Sequence, residues 1–156
     1  MINDCDIEVR FGAVIFYNLN IYLMKRVTGI GGVFFKSADP EKSREWYSKH
    51  LGIPHMSSYG GTFIWRQAED PDKLGHTAWS AMGQDTTYYE PSKSVFMINY
   101  RVENLEELLK TLKEEGVEIV DEIDVQDYGK FGWIMDPEGN KIELWEPNDE
   151  VYNQML

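Results

Sequence analysis

Tyr128-Gly129-Lys130-Phe131-Gly132-Trp133-Ile134-Met135-Asp136-Pro137-Glu138-Gly139-Asn140-Lys141-Ile142-Glu143-Leu144-Trp145-Glu146 is a pair of β-like runs hinged on one tight turn. Pro137 presets φ for the second turn position, Gly139 supplies a left-handed residue, and Asp136 and Asn140 can hydrogen-bond the turn backbone. The spacing therefore predicts a β-hairpin of fixed register. On its second strand the period of two puts Lys141, Glu143 and Trp145 on one face and Ile142, Leu144 and Glu146 on the other. One face should look into a pocket and the other should pack on a helix.

Working back along the chain, the same order of elements occurs twice. Val27 to Lys36 reads as a strand that runs into Asp39-Pro40-Glu41, a capped helix start. That helix should stop near Leu51, because Gly52 suits the left-handed cap and Pro54 forbids continuation. Trp46, Tyr47 and Leu51 form its expected stripe against a sheet. Thr62 to Gln67 and Thr77 to Met82 read as strands joined by a turn-rich loop. An offset of 65 residues then maps Val33 on Ile98, Lys36 on Arg101 and Asp39 on Asn104. In the second copy Leu105, Leu108, Leu109 and Leu112 recur at helical spacing, Asn104 and Glu107 make a capping-box pair, and Gly116 ends the helix. Val117 to Val125 is a further strand, whose Asp121-Glu122-Ile123-Asp124 run suits a charged edge that discourages sheet pairing. Each half is thus βαβββ, a repeat of two modules sharing one core. Module one spans 27–83, a polar linker 84–94, module two 95–147 and a tail 148–156, the whole domain being 24–147.

The 156 residues, 42% of them hydrophobic, suffice for one domain with a sizeable core. The 15 Lys and Arg against 27 Asp and Glu leave a net charge of −12, which argues against nucleic acid or anionic membrane as partner. A lone Cys5 gives no sign of an oxidising compartment and fits a cytoplasmic protein. Val9 to Leu23 is apolar, but Asp4, Asp6 and Glu8 stand where a signal peptide would be basic, and Asn18 and Asn20 interrupt the run. Residues 1–23 are read as an N-terminal extension.

The Asp39-Pro40 helix with Trp46-Tyr47 and Leu51-Gly52, the Arg101-Val102-Glu103-Asn104 helix start and the closing Asp136-Pro137-Glu138-Gly139-Asn140-Lys141-Ile142-Glu143-Leu144 resemble the vicinal oxygen chelate superfamily, the glyoxalase, bleomycin-resistance and extradiol-dioxygenase group. The likeness covers Val27 to Pro147. It implies an α+β fold in which two βαβββ modules form a curled mixed sheet around a cleft, with helices outside, and a homodimer. It also implies metal ligands on the first and last strands of each module. Those positions fall here on Gly32, Met97, the Trp79-Ser80-Ala81-Met82 stretch and Glu143. Glu143 alone matches.

One carboxylate does not hold a divalent ion, so no cofactor is expected. His50 suits a helix C-terminus, His55 lies in the following loop, and His76 reads as a solvated strand end. If the ligand positions that the resemblance implies face the cleft, alternation and the repeat place Phe34, Lys36, Met97, Asn99, Arg101 and Glu143 on its floor, a surface suited to a small polar or anionic molecule with an apolar part. Arg101 has a second role open to it as the scaffold partner of Glu143 or of another carboxylate, and Glu143 as an arginine's partner with no chemistry. Trp65 and Trp133, at similar places in the two halves, are either ligand-stacking rings or core. No phosphate loop, serine elbow or paired cysteines occur. The sequence thus reads as a small-molecule-binding protein without the usual metal site. The alternative is a metal-dependent glyoxalase-like lyase or isomerase, or a dioxygenase, with Glu143 as one ligand.

Overall fold

The computed structural model describes residues 26–54 and 60–156; the extension 1–23 and His55 lie outside them. Seven strands form one mixed sheet: β1 (Gly29–Ser37), β2 (Gly61–Arg66), β3 (Leu74–Gly83), β4 (Phe96–Arg101), β5 (Ile119–Gln126), β6 (Gly129–Met135) and β7 (Lys141–Pro147). Three helices accompany them: α1 (Pro40–Leu51), α2 (Leu105–Glu114) and α3 (Asp149–Met155). The strand order β2-β3-β1-β4-β7-β6-β5 is open, not closed into a barrel. No helix among the described residues is long and apolar enough to cross a membrane.

The repeat explains this order. The two first strands, β1 and β4, run antiparallel at the centre with Val33 opposite Ile98, the same pair that the offset of 65 makes equivalent. Each is flanked by the last strand of its own module in parallel, β3 beside β1 and β7 beside β4. Module two shows the whole βαβββ pattern. In module one the described residues give βαββ.

The local signals act as their chemistry requires. Asp39 accepts from the backbone N–H of Lys42, and Gly52 closes α1 at φ 67° with its N–H on the Ser48 carbonyl. In the closing hairpin, Asp136 accepts from the backbone of Glu138 and Asn140 and from the Asn140 amide, and Gly139 sits at φ 79°. These bonds, the Asn140 amide first, hold the Asp136 carboxyl below its ordinary pKa. At α2, Asn104 caps Glu107 as expected, and Glu146 of β7 accepts from the Leu105 N–H at 2.7 Å, a carboxylate on the positive helix end.

The two faces of β7 separate as alternation demands. Ile142 and Leu144 pack under α2 with Val102, Leu105, Leu108 and Leu109, while Glu143 and Trp145 face the cleft. Full burial of Leu105 contributes about 1.5–3 kcal/mol. Strand β5, with Glu122 and Asp124 exposed, is the charged edge of the sheet.

Helix α1 departs from expectation. Trp46 is 53% exposed and Leu51 60% exposed, so neither belongs to a stripe against the sheet. Neighbours in a helix point about 100° apart, and here Tyr47 takes the inward direction, stacking on Trp79 and Phe35. Arg44 is the buried residue of α1, donating to the Ala81 carbonyl and to Glu41.

Candidate functional site

Strand register builds the site from one transverse row. Asn99 of β4 stands opposite Glu143 of β7, and Glu143 stands opposite Trp133 of β6. Residues directly opposite one another share a face, so all three project to the concave side. There the Asn99 amide donates to Oε1 of Glu143 at 2.6 Å, and the Trp133 indole donates to Oε2 at 2.9 Å. The third donor comes from outside the sheet: the Tyr88 hydroxyl, in the segment between modules, donates to the same Oε2.

Glu143 is 2% exposed, and burial raises its pKa above the ordinary 4.5 against the opposing pull of those three bonds and of the Lys141 charge. Burial and the adjacent carboxylate raise the Tyr88 hydroxyl as well, so it stays a proton donor. Tyr89, fully buried beside Met97 and Trp133, is pushed up to about 12 by burial and then by Glu143. Behind this group, Lys141 is 5% exposed, 2.7 Å from Oδ2 of Asp121 and 3.1 Å from the Tyr88 carbonyl. Its ammonium also lies over the Trp133 and Tyr88 rings. Lys141 thereby ties the intermodule segment to the sheet.

In front of Glu143 opens a cavity of about 560 Å³. Phe34, Trp79, Tyr88, Tyr128, Phe131, Trp145 and Tyr152 line it with rings, and Thr62, Ser80, Asn99 and Glu143 add polar groups. Helix α3 closes one end, with Tyr152, Met155 and Leu156 in the wall. It is held by Asp149, which accepts from Arg101 at 2.8 Å, and by Tyr152 against Trp145 and His76.

The structure brings Phe34, Asn99, Glu143 and Trp133 together around the cleft, with Met97 packed behind them at 1% exposure. Arg101 lies on the same face but serves α3: its guanidinium is paired with Asp149 between the Trp65 and Trp145 rings. Its scaffold role is therefore the one realised, with Asp149 and not Glu143 as partner. Lys36 stands over Tyr89 and does not line the cavity. Trp65 fills space left by Gly29 and Gly75, its indole on Thr77, away from Glu143. Trp133 faces Glu143 whereas Trp65 faces Gly75, so the two are not equivalent in the sheet.

The cleft wall contains no Lys, Arg or His among the described residues; the cations expected on the cleft floor, Lys36 and Arg101, lie outside that wall. His76 is also corrected: it is fully buried under Tyr152, with Nδ1 3.5 Å from Asp149, and burial lowers its pKa. Sequence reasoning counts Tyr88 only among the chain's many rings and Lys141 only as sharing a face with Glu143, and it gives neither their bonds nor the tail helix. Two adjacent tyrosines in an otherwise polar linker were the available signal.

The donor set does not suit the divalent ion that the resemblance implies. A side chain at Gly32 would meet the Phe34 ring at 2.6 Å, so that ring fills the place of the first-strand ligand. Met97 offers a thioether already packed on Tyr89 and Trp133. Both oxygens of Glu143 are engaged by protein donors, and among the described residues no three His, Cys, Asp or Glu side chains converge.

Residues 29–144 match the family model of the Glyoxalase/Bleomycin resistance protein/Dioxygenase superfamily. The fold is similar to methylmalonyl-CoA epimerase from Mycobacterium tuberculosis, at 21% identity and TM-score 0.52 over 81% of this chain and 93% of that one. It is also similar to a variant of the Streptomyces coelicolor methylmalonyl-CoA epimerase in complex with 2-nitronate-propionyl-CoA, at 13% identity and TM-score 0.58 over 78% and 99%. No curated protein sequence matches the chain.

Proposed function

Because the chain belongs to the Glyoxalase/Bleomycin resistance protein/Dioxygenase superfamily, we propose that it binds a small organic molecule in the ring-lined cleft, without a divalent metal. One observation carries this reading: the single carboxylate at the bottom of the cleft is hydrogen-bonded by Tyr88, Asn99 and Trp133 instead of standing free for an ion. A cavity of about 560 Å³ with a mostly aromatic wall and a few convergent polar groups has the size and character of a ligand site.

A second reading has its own support. A buried carboxyl of raised pKa beside a phenol is the kind of group that moves protons at neutral pH, so Glu143 is a candidate general base for metal-free chemistry on the bound molecule. The test of the first reading is elemental analysis of the purified protein, joined to a fragment screen by ligand-observed NMR. Aromatic fragments that bind while metal stays far below one equivalent support it. One equivalent of zinc, nickel, iron or manganese, lost in Glu143→Ala, overturns it.

A further inference from the structure

Charge in the cleft is one-sided. Among the described residues the wall contains one acidic side chain, Glu143, and no cationic side chain. Arg101 and Lys141 are each 5% exposed or less and paired, the first with Asp149 and the second with Asp121, while Nη1 of Arg101 has no hydrogen-bond partner among the described residues and Lys36 stands over Tyr89 outside the wall. An anionic ligand would find no counterion in this wall, and the net charge of −12 would oppose its approach.

What the wall offers is ring faces, the acceptors of Glu143 and Asn99, and the buried Trp145 indole N–H, which has no partner among the described residues. Oε1 of Glu143 has one protein donor, Asn99, where Oε2 has two. The Asn99 carbonyl oxygen is buried with no hydrogen-bond partner among the described residues. It lies 2.0 Å from where a side chain at Gly31 would begin, so the bare backbone of Gly31 gives it room, and both residues line the cavity. A buried carbonyl without a donor is costly, by about 1–3 kcal/mol for a typical group, unless something supplies the missing N–H. Rings attract cations over their faces, most strongly where water is excluded, and Phe34, Trp79, Phe131, Trp145 and Tyr152 stand around the same space.

We propose that the ligand is an organic cation, a flat aromatic body carrying a protonated amine whose N–H groups reach Oδ1 of Asn99 and Oε1 of Glu143 while its rings lie among those of the wall. The inference rests on the small-molecule reading and narrows it to one charge class. A cation there also restores the neutrality that a buried carboxylate lacks, and it favours the ionised form of Glu143 that burial disfavours.

The test is a matched series measured by calorimetry: 2-naphthylmethylammonium, 2-naphthylmethanol and 2-naphthoate. The amine should bind on the order of tenfold or more tightly than the alcohol, with the carboxylate weakest. In Glu143→Gln the amine-to-alcohol ratio should fall to near one. That variant can keep its bonds if the Asn99 amide turns over, since the new amide then donates to Oδ1 while its oxygen still accepts from Tyr88 and Trp133. Equal binding of amine and alcohol, tightest binding of the carboxylate, or an unchanged ratio in Glu143→Gln overturns the cation assignment and leaves the small-molecule reading standing. Binding by none of the three at millimolar concentration counts against both.

Discussion

Removing either partner of the Lys141–Asp121 pair should have unequal consequences, because water reaches only one of them. The Lys141 side chain is 5% exposed and that of Asp121 57% exposed, at 2.7 Å. In Asp121→Asn the ammonium stays buried with neutral partners, the Tyr88 carbonyl at 3.1 Å, the two rings and the new amide oxygen, and the charge of Asp121 that balanced it is gone. Breaking a fully buried pair from one side costs about 3–5 kcal/mol, and the half-exposed aspartate reduces this to about 1–2 kcal/mol. Asp121 sits at φ 64°, a left-handed conformation that asparagine tolerates equally, so backbone strain cancels. In Lys141→Met an apolar side chain of similar length keeps its place over Trp133 and Tyr88, and Asp121 is left in water, at a cost below about 1 kcal/mol. Urea unfolding of both variants at pH 7, with m values compared, measures the difference. If Lys141→Met proves the more destabilising, the ammonium's bond to the Tyr88 carbonyl and its contacts with the two rings outweigh the cost of an unpaired buried charge, and the reasoning fails.

Two further outcomes follow from the same site. The Glu143 pKa is raised in the fold, so its favourable contribution is complete below the unfolded value near 4.5 and is lost as pH rises through the higher folded value. The melting temperature of Glu143→Gln relative to the parent should therefore climb as pH rises through that window, and thermal scans showing a flat or falling difference would contradict the burial account. In Gly31→Ala the added methyl would meet Oδ1 of Asn99 at 2.0 Å and side-chain carbons of Arg101 and Trp145 at 3.0 Å, all in residues 3% exposed or less. A loss of about 1–3 kcal/mol in urea unfolding is expected, and none if these side chains yield freely.

What the sequence disclosed was what short-range periodicity encodes. The Asp136 to Asn140 turn, the caps at Asp39 and Asn104, and the alternation along β4 and β7 depend on neighbours a few residues apart, and each is realised in the structure. Asn99 and Glu143 are placed on one face by alternation along each strand together with the ligand positions that the resemblance implies. What stayed hidden depends on contacts distant in the chain. Tyr88 reaches Glu143 across 55 residues, and the tail supplies Asp149 to Arg101 across 48. His76 is buried because Tyr152 covers it, and the phase of α1 is set by Tyr47 meeting Trp79. No local pattern announces any of these.

These contacts also bear on how the closing strand can keep its carboxylate. In a chelating arrangement the charge of such a residue is balanced by the ion it holds. Here Phe34 fills the space over Gly32, Met97 brings sulfur in place of imidazole, and three neutral donors solvate the carboxyl without neutralising it. Neutral hydrogen bonds lower the cost of burying a charge but do not cancel it, which is why burial still prevails and the Glu143 pKa stays raised. The matched ammonium of Lys141 lowers that pKa only as a secondary influence. A carboxyl so poised takes up a proton or accepts a positive group from the cleft at little cost. The ring-lined wall, without a cation of its own among the described residues, leaves that second choice to the ligand.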